Sequence, residues 1–347
     1  MGTARPLRGA LIGCGFVSQY HLSAWREQPE AGLVAVCDLD PERLEHAGAI
    51  VPEARRFRDA EQMFANTPLD FVEICTRPES HLALVSLAAR HGAHVLCQKP
   101  ASLEREELLA MIDVCDRADV RLMFHENWRF RPWNRALRAA LDAGAIGRPI
   151  RLRLFHRDTR ALKPAGFADQ PYFTAMPRLI LLEMGCHLAD TARYLMGEAE
   201  SVAATLDRFG TGHVGEDLAT LSIRFKSGAL GLLDMTWCAP PDHARPEWAL
   251  NDTAIEGTSG TLRVALDGTL QWAGLAGESR MLPVDLPPAD RVYIHGYHAT
   301  QEHFITGLVQ GIPHETSGVE TLKTMDIVWT GYRSAEAGKS LRLEEPG

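Results

Sequence analysis

Up to about residue 125, short apolar runs alternate with stretches of helical periodicity. The runs are GALIG (9–13), LVAVCD (33–38), FVEIC (71–75), HVLC (94–97) and RLMFH (121–125), with helix-like patterns over 79–91 and 103–118 between them. Near-continuous apolar strands separated by helices are what a parallel sheet covered on both faces requires. Residues 1–125 are therefore expected to form a doubly wound α/β domain. After Pro132 the pattern changes. A helix near 130–143 ends at Gly144 and Gly147, and beyond it apolar and polar residues alternate. In LATLSIRFKSG, Ala219, Leu221, Ile223 and Phe225 share one face while Thr220, Ser222 and Arg224 share the other. A period of two predicts a sheet with one polar or partner-facing side, in a second domain spanning 126–347. Helices are predicted near 177–195, 298–311 and 316–338, and the chain shows no internal repeat or low-complexity tract.

With 347 residues, 46% hydrophobic and 23% charged, the composition suits a globular protein of two domains. The net charge of −9 and the lack of a basic block argue against a nucleic-acid partner. Seven scattered cysteines (Cys14, Cys37, Cys75, Cys97, Cys115, Cys186, Cys238) suggest free thiols in a reducing, cytoplasmic compartment. The N-terminal stretch has no apolar signal core, and no run of about 18 apolar residues occurs, so neither export nor a membrane span is expected.

The first strand runs into Gly13-Cys14-Gly15-Phe16-Val17-Ser18 and an amphipathic helix. The first glycine permits a tight turn, the second lets backbone approach a pyrophosphate, and the helix start offers N–H groups to the anion. Asp38, at the end of the second strand, stands where a carboxylate accepts hydrogen bonds from a ribose; the plainer role is capping the helix that follows. A carboxylate there repels a 2′-phosphate, and Leu39 follows it, so NAD is favoured over NADP.

Ligands of doubly wound sheets collect outside the carboxyl ends of the strands. Lys99 in VLCQKPAS (95–102) stands at such an end, as does the turn from Thr76 and Arg77 to His81. Lys99 either reaches a substrate or sugar hydroxyl or is a solvated loop lysine, with Ser102 capping the next helix. In the second domain, LLEMGCHLADTARYLMG puts Glu183, His187 and Asp190 at i, i+4 and i+7 of one helical stripe. They read as a general base with carboxylate support or as ligands of zinc or manganese. The flanking leucines argue against a surface charge cluster.

Taken together, ALIGCG, the Asp at the second strand end, the T-x-P-x-x-H-like turn, the Q-K-P, the E-x-x-x-H-x-x-D helix, AIGRP (145–149), Glu216-Asp217 and IEGTSGTLRV (255–264) resemble the Gfo/Idh/MocA oxidoreductases. HENWRFRPW and DQPYF…MPRL resemble the branch of that family that includes D-apiose and related aldose dehydrogenases. The resemblance implies an N-terminal Rossmann domain, a C-terminal α/β domain whose mostly antiparallel sheet makes a homodimer or homotetramer, and NAD-linked hydride transfer at a carbinol carbon of a sugar or polyol. Cofactor contacts carry over onto Gly13, Gly15, Phe16, Val17, Asp38, Thr76, Arg77, His81, Gln98 and Lys99. The catalytic pair carries over onto Lys99 and His187, with Glu183 where Asp is usual. Gln98 replaces the usual Glu and brings no charge to the nicotinamide ribose. Ordinary lysine titrates near about 10.4 and histidine near about 6.5, so His187 is the expected base and Lys99 the donor to the same oxygen.

By the same resemblance Asn127, His156 and Asp158 hold substrate hydroxyls, against the alternative of ordinary strand-edge polarity. Tyr172 and Trp237 are either sugar-stacking platforms or core. His295, His298 and His303 are expected at the surface and at a helix start, and no metal cofactor is expected. An NAD-dependent glycoside hydrolase of the same fold and a non-catalytic NAD-bound regulator are the rival functions.

Overall fold

The five apolar runs all become strands, and a sixth strand joins them. In the computed structural model, which describes residues 5–241, 252–265 and 267–344, the chain forms two units. The first comprises Met1–Asn127 and Ile294–Leu322 and the second Trp128–Tyr293 and Lys323–Gly347.

The first unit holds β1 (Leu7–Ile12), α1 (Ser18–Trp25), β2 (Ala31–Cys37), α2 (Pro41–Ile50), β3 (Arg55–Phe57), α3 (Ala60–Asn66), β4 (Phe71–Ile74), α4 (His81–Arg90), β5 (His94–Cys97), α5 (Arg105–Arg117) and β6 (Leu122–Phe124). The strands are all parallel, in the order β3-β2-β1-β4-β5-β6. That is the Rossmann arrangement, with the order reversing on either side of β1. Leu11, Val36, Val72, Ile74, Val95 and Leu96 are fully buried, each side chain contributing about 1.5–3 kcal/mol by leaving water. The unforeseen strand β3 reads Arg-Arg-Phe and sits at the sheet edge, where polar residues are tolerated. Asp40 and Asp59 cap α2 and α3 by accepting the Glu42 and Gln62 N–H groups. Ser102 does not cap α5. That helix starts two residues later, where Glu107 accepts from the Glu104 N–H, while the Ser102 hydroxyl donates to the Glu104 carbonyl.

The second unit contains α6 (Pro132–Asp142), β7 (Pro149–Arg157), α7 (Ile180–Glu183), α8 (Gly185–Met196), β8 (Ala199–Asp207), β9 (Leu218–Phe225), β10 (Leu230–Thr236), β11 (Asp252–Gly257), β12 (Gly260–Val264), β13 (Leu270–Gly274), β14 (Ser279–Leu282) and, near the end, β15 (Leu341–Arg342). These strands form one sheet, β14-β13-β12-β11-β7-β10-β9-β8-β15, antiparallel except between β7 and β10. The alternation read in β9 holds: Ala219, Leu221, Ile223 and Phe225 are fully buried, whereas Ser222 and Arg224 are exposed. Helix α8 packs on β7 and β10.

Two further helices follow, α9 (Val292–Gln310) and α10 (Gly318–Ala337). The segment 294–322 belongs to the first unit, although its place in the sequence put it with the second domain. Its physical role is to finish the sheet. The Phe124 N–H donates to the Thr316 carbonyl at 2.8 Å and Met123 bridges to Ser317, closing the open edge of β6. Phe304 packs edge-on against Phe71, centroids 5.8 Å apart. His295, His298 and His303 all lie within α9 and are half-buried, not surface residues. His303 Nε2 accepts the Glu315 N–H.

Gly9 is required by the Phe71 ring, whose carbons would stand 2.1–2.6 Å from an added Cβ. Gly9→Ala should therefore destabilise the protein by about 1–3 kcal/mol, the cost of overpacking a close-packed core. Urea denaturation would reveal it as a lowered midpoint with little change in slope.

Candidate active site

The first unit's site is built at the carboxyl end of β1. The Gly13 N–H still donates to the Cys37 carbonyl of β2 at 2.8 Å, and the Cys75 N–H to the Ile12 carbonyl at 2.7 Å, so β1 stays tied to both neighbours until it turns. The turn needs glycine: Gly13 has φ +95°, and a Cβ would lie 2.8 Å from the Cys75 backbone. Gly15 opens onto space, with only Arg43 within 4 Å of an added Cβ. Ser18 donates to the Gly15 carbonyl at 2.6 Å and folds the loop onto α1. Val17, at the helix start, provides no side-chain cap, and Phe16 is exposed. The start of α1 thus stands beside a glycine cradle, an arrangement that suits a pyrophosphate.

Asp38 is not the cap of α2, a role that falls to Asp40. Its Oδ2 accepts the Cys14 N–H at 2.7 Å and its Oδ1 the Asp40 N–H at 2.8 Å. Each oxygen keeps a lone pair for a ribose hydroxyl, and Leu39 beside it is 80% exposed. These residues fit a dinucleotide.

Along the same edge, Gln98 is buried directly after β5 and its Oε1 accepts the Lys99 N–H at 2.7 Å. The Lys99–Pro100 peptide is cis. Thr76 is half-buried and bonded to Ser80, and Arg77 is exposed. His81 is fully buried, with its ring nitrogens 2.9 Å from the Ala101 carbonyl and 3.0 Å from the Thr76 carbonyl. Burial holds its pKa below the ordinary value, so the neutral ring donates to one of them. Its ring sits between the turn after β4 and the turn after β5. Asn127 is buried, and its Oδ1 accepts no hydrogen bond from any described residue.

In the second unit the predicted single helix is two, α7 and α8, parting at Met184 (φ −106°, ψ −33°). Glu183 closes α7, while His187 and Asp190 ride on α8; all three are buried. His187 stacks on the Trp128 indole at 4.5 Å, ring planes 4° apart, and the Arg131 guanidinium covers Trp128 at 4.6 Å. Asp190 is engaged elsewhere. It takes a buried two-point ion pair from Arg129, 2.8 and 2.6 Å, and a bond from Thr324. Its carboxylate anchors the Trp128 segment to α8, a role that the stripe of charged residues did not disclose.

Glu216 fixes where this helix pair begins. Its Oε1 accepts the Leu179 and Leu181 N–H groups and the Tyr332 hydroxyl, and burial pushes the carboxyl above the ordinary range. Asp217 accepts from Phe209, Gly210 and His213 and ties down the loop before β9.

His156 lies 5.9 Å from the Trp128 ring. Asp158 accepts the Thr159 and Arg160 N–H groups, so its carboxylate shapes a turn. Tyr172 is half-buried, its hydroxyl receiving Gln170. Trp237 is core and no stacking platform: it is fully buried among Phe167, Phe173 and Arg160. All seven cysteines are free thiols, and burial pushes Cys14, Cys37 and Cys115 up to about 12, which leaves them inert as nucleophiles. Among the described residues no helix is long and apolar enough to cross a membrane.

Residues 7–126 match the model of an oxidoreductase family with an NAD-binding Rossmann fold, and residues 134–263 match the GFO/IDH/MocA C-terminal domain. The chain belongs to the GFO/IDH/MocA family of oxidoreductases, and its cofactor is NAD. It is 37% identical to a D-apiose dehydrogenase of Paraburkholderia graminis over 99% of this chain and 91% of that protein. It is 28% identical to a myo-inositol 2-dehydrogenase of Thermotoga maritima over 98% and 99% of the two chains. An oxidoreductase from Agrobacterium radiobacter, crystallised with NAD+, L-tartaric acid and magnesium, has the same fold at TM-score 0.89, with 33% identity over 97% and 98% of the chains.

Asp38→Ala removes the carboxylate expected to accept from a ribose, together with the brace on Cys14. NAD should bind more weakly by about tenfold or more, the loss of a hydrogen bond to a charged group being worth roughly 1.5–3 kcal/mol, while NADP is affected less. Fluorescence titration with both cofactors measures the change; an unaltered NAD/NADP ratio would contradict this role.

Proposed function

We propose that the chain is an NAD-dependent dehydrogenase that oxidises a carbinol carbon of a sugar or polyol, with His187 as general base and Lys99 as hydrogen-bond donor to the reacting oxygen. The observation that carries the reading is the identity with the D-apiose dehydrogenase along nearly the whole chain. An aldose is accordingly the first substrate to test. Bound NAD supplies the hydride acceptor. The protein's own part is proton handling and charge stabilisation.

In this reading His187 takes the hydroxyl proton as the carbinol carbon gives up hydride. Stacking on Trp128 limits the tilt of its ring, so the accepting nitrogen is presented in one plane. Lys99 donates to the oxygen as alkoxide character grows, a contact that strengthens toward the transition state. Glu183, buried at the end of α7, orients His187 or receives a neighbouring hydroxyl. Asn127 Oδ1, with no partner among the described residues, is an acceptor for a substrate hydroxyl. Gly13, Gly15, Phe16, Val17, Thr76, Arg77 and Gln98 line the cofactor's edge of the first unit. Assembly as a homodimer or homotetramer would use the face of the nine-stranded sheet that carries Leu230, Ser222 and Arg224. The free thiols suit a reducing cytoplasm.

A panel of aldoses, polyols and inositols incubated with excess NAD should give NADH in stoichiometric amount with one of them. Glycoside cleavage without net NADH would support the hydrolase rival instead. Lys99→Met should bind NAD normally and lose turnover by roughly 10²–10³, and His187→Ala by about 10²–10⁴. Because both roles serve one oxygen, the double variant should lose much less than the product of the two. Near-normal turnover of Lys99→Met at saturating NAD would make Lys99 an ordinary loop lysine.

A further inference from the structure

A chain of hydrogen bonds runs through the core of the first unit, from the Lys99 backbone to a carboxylate buried inside the sheet. Glu73 lies in the middle of β4 and is 0% exposed. Its Oε1 is 2.8 Å from His21 Nδ1, and its Oε2 accepts Trp25 Nε1 and, at 3.3 Å, Gln301 Nε2. His21 Nε2 lies 2.7 Å from Gln98 Nε2, and Gln98 Oε1 accepts the Lys99 N–H.

Donor and acceptor chemistry assigns the protons. A backbone N–H only donates, so the Gln98 atom facing Lys99 is the amide oxygen, and the amide NH2 faces His21. The NH2 donates, which requires a lone pair on His21 Nε2. The ring proton then sits on Nδ1 and is donated to Glu73. An imidazolium would set N–H against N–H at 2.7 Å. The Glu73 carboxylate, with no proton of its own to give, is satisfied by this donor set: His21 Nδ1–H on Oε1, and Trp25 Nε1–H and the Gln301 amide on Oε2. The other groups facing His21 are His125, whose ring centroid is 4.4 Å away and whose Nε2 is 3.8 Å from Glu73, and Tyr297 at 4.9 Å.

We propose that His21 is a positioning residue for the Lys99 turn: as a neutral Nδ1–H tautomer held by Glu73, it locks the Gln98 amide in the orientation that leaves Oε1 for the Lys99 N–H. The proposal rests on the reading of Lys99 as the donor to substrate. It also accounts for glutamine at position 98. A carboxylate there would oppose acceptor to acceptor at His21 Nε2, a conflict relieved only when His21 takes up a second proton and stands as a cation between two carboxylates. The ligand-type atoms of His21, Glu73 and His125 lie within 4.8 Å of one another, but both His21 nitrogens are engaged in the chain, and a cation would have to break it.

The test is 15N NMR of the full-length, NAD-bound protein labelled at histidine, with the His21 signals assigned from their loss in His21→Leu or, where that variant fails to fold, in the closer match His21→Gln. At pH 7 His21 should show the neutral Nδ1–H pattern, and Gln98→Glu should convert it to imidazolium. His21→Leu should lower kcat by up to about 10²-fold with NAD affinity little changed, as for a small misplacement of a catalytic group. An imidazolium or Nε2–H signature in the parent, an unchanged His21 in Gln98→Glu, or one equivalent of a bound divalent metal by elemental analysis would each overturn the proposal. Full turnover of Lys99→Met alongside the Nδ1–H signature would instead defeat the catalytic reading of Lys99, leaving the hydrogen-bonded chain in place, so the two failures are separable.

Discussion

A parallel sheet covered on both faces has no wet side, so polar chemistry must sit at strand ends or be fully satisfied within. The first unit obeys both clauses. At the carboxyl end of β1, the left-handed backbone of Gly13 turns the chain while its N–H still reaches β2, and Cys75 still reaches Ile12. The cradle, the Asp38 carboxylate, the Thr76 turn and the Gln98–Lys99 turn all follow from where those strands stop. Inside the sheet, Glu73 is the one charge in its strand, and its donors come from helices outside that strand: His21 and Trp25 from α1, Gln301 from α9. A buried anion without those donors would cost several kcal/mol.

The second unit handles polarity differently. Its long antiparallel sheet has one face under α8 and one bearing polar side chains, so alternation was legible in β9. It pairs one buried charge directly with another, Arg129 with Asp190, and His187 is held by a flat aromatic contact. Glu216, Trp128 and Arg129 touch the helix pair from outside it, Arg129 through Asp190 of α8, and each shapes the setting of His187 without needing to meet a substrate.

Much of this was legible in the sequence because strands buried on both faces are written as unbroken apolar runs, and the order of the motifs named the family. What stayed hidden has physical reasons. The edge strand β3 is polar, so no apolar run announced it. The break at Met184 lies within an unbroken helical pattern, since the residues on either side keep the same spacing. Asp190 looked like a partner of His187 because sequence spacing cannot reveal Arg129, sixty-one positions away. Glu73 was visible as a charge inside FVEIC, and a carboxylate in an otherwise apolar strand is itself a signal that donors must converge on it. Trp237 was named as a stacking platform by residue type, and only packing separates a core indole from a ligand contact.

The discontinuity of the first unit bears on how the protein is made. The ribosome completes residues 1–127 well before 294–322, and at roughly 5–20 residues per second the intervening 166 residues take on the order of 10–30 s. Through that interval the nascent Rossmann sheet lacks Phe304 against Phe71, Gln301 on Glu73 and the Thr316 partner of β6. A sticky edge and an incompletely solvated anion are thus exposed during synthesis, the circumstances in which chaperones bind. For the same reason a fragment cut at residue 125, although it contains every strand of that sheet, is not a self-sufficient domain.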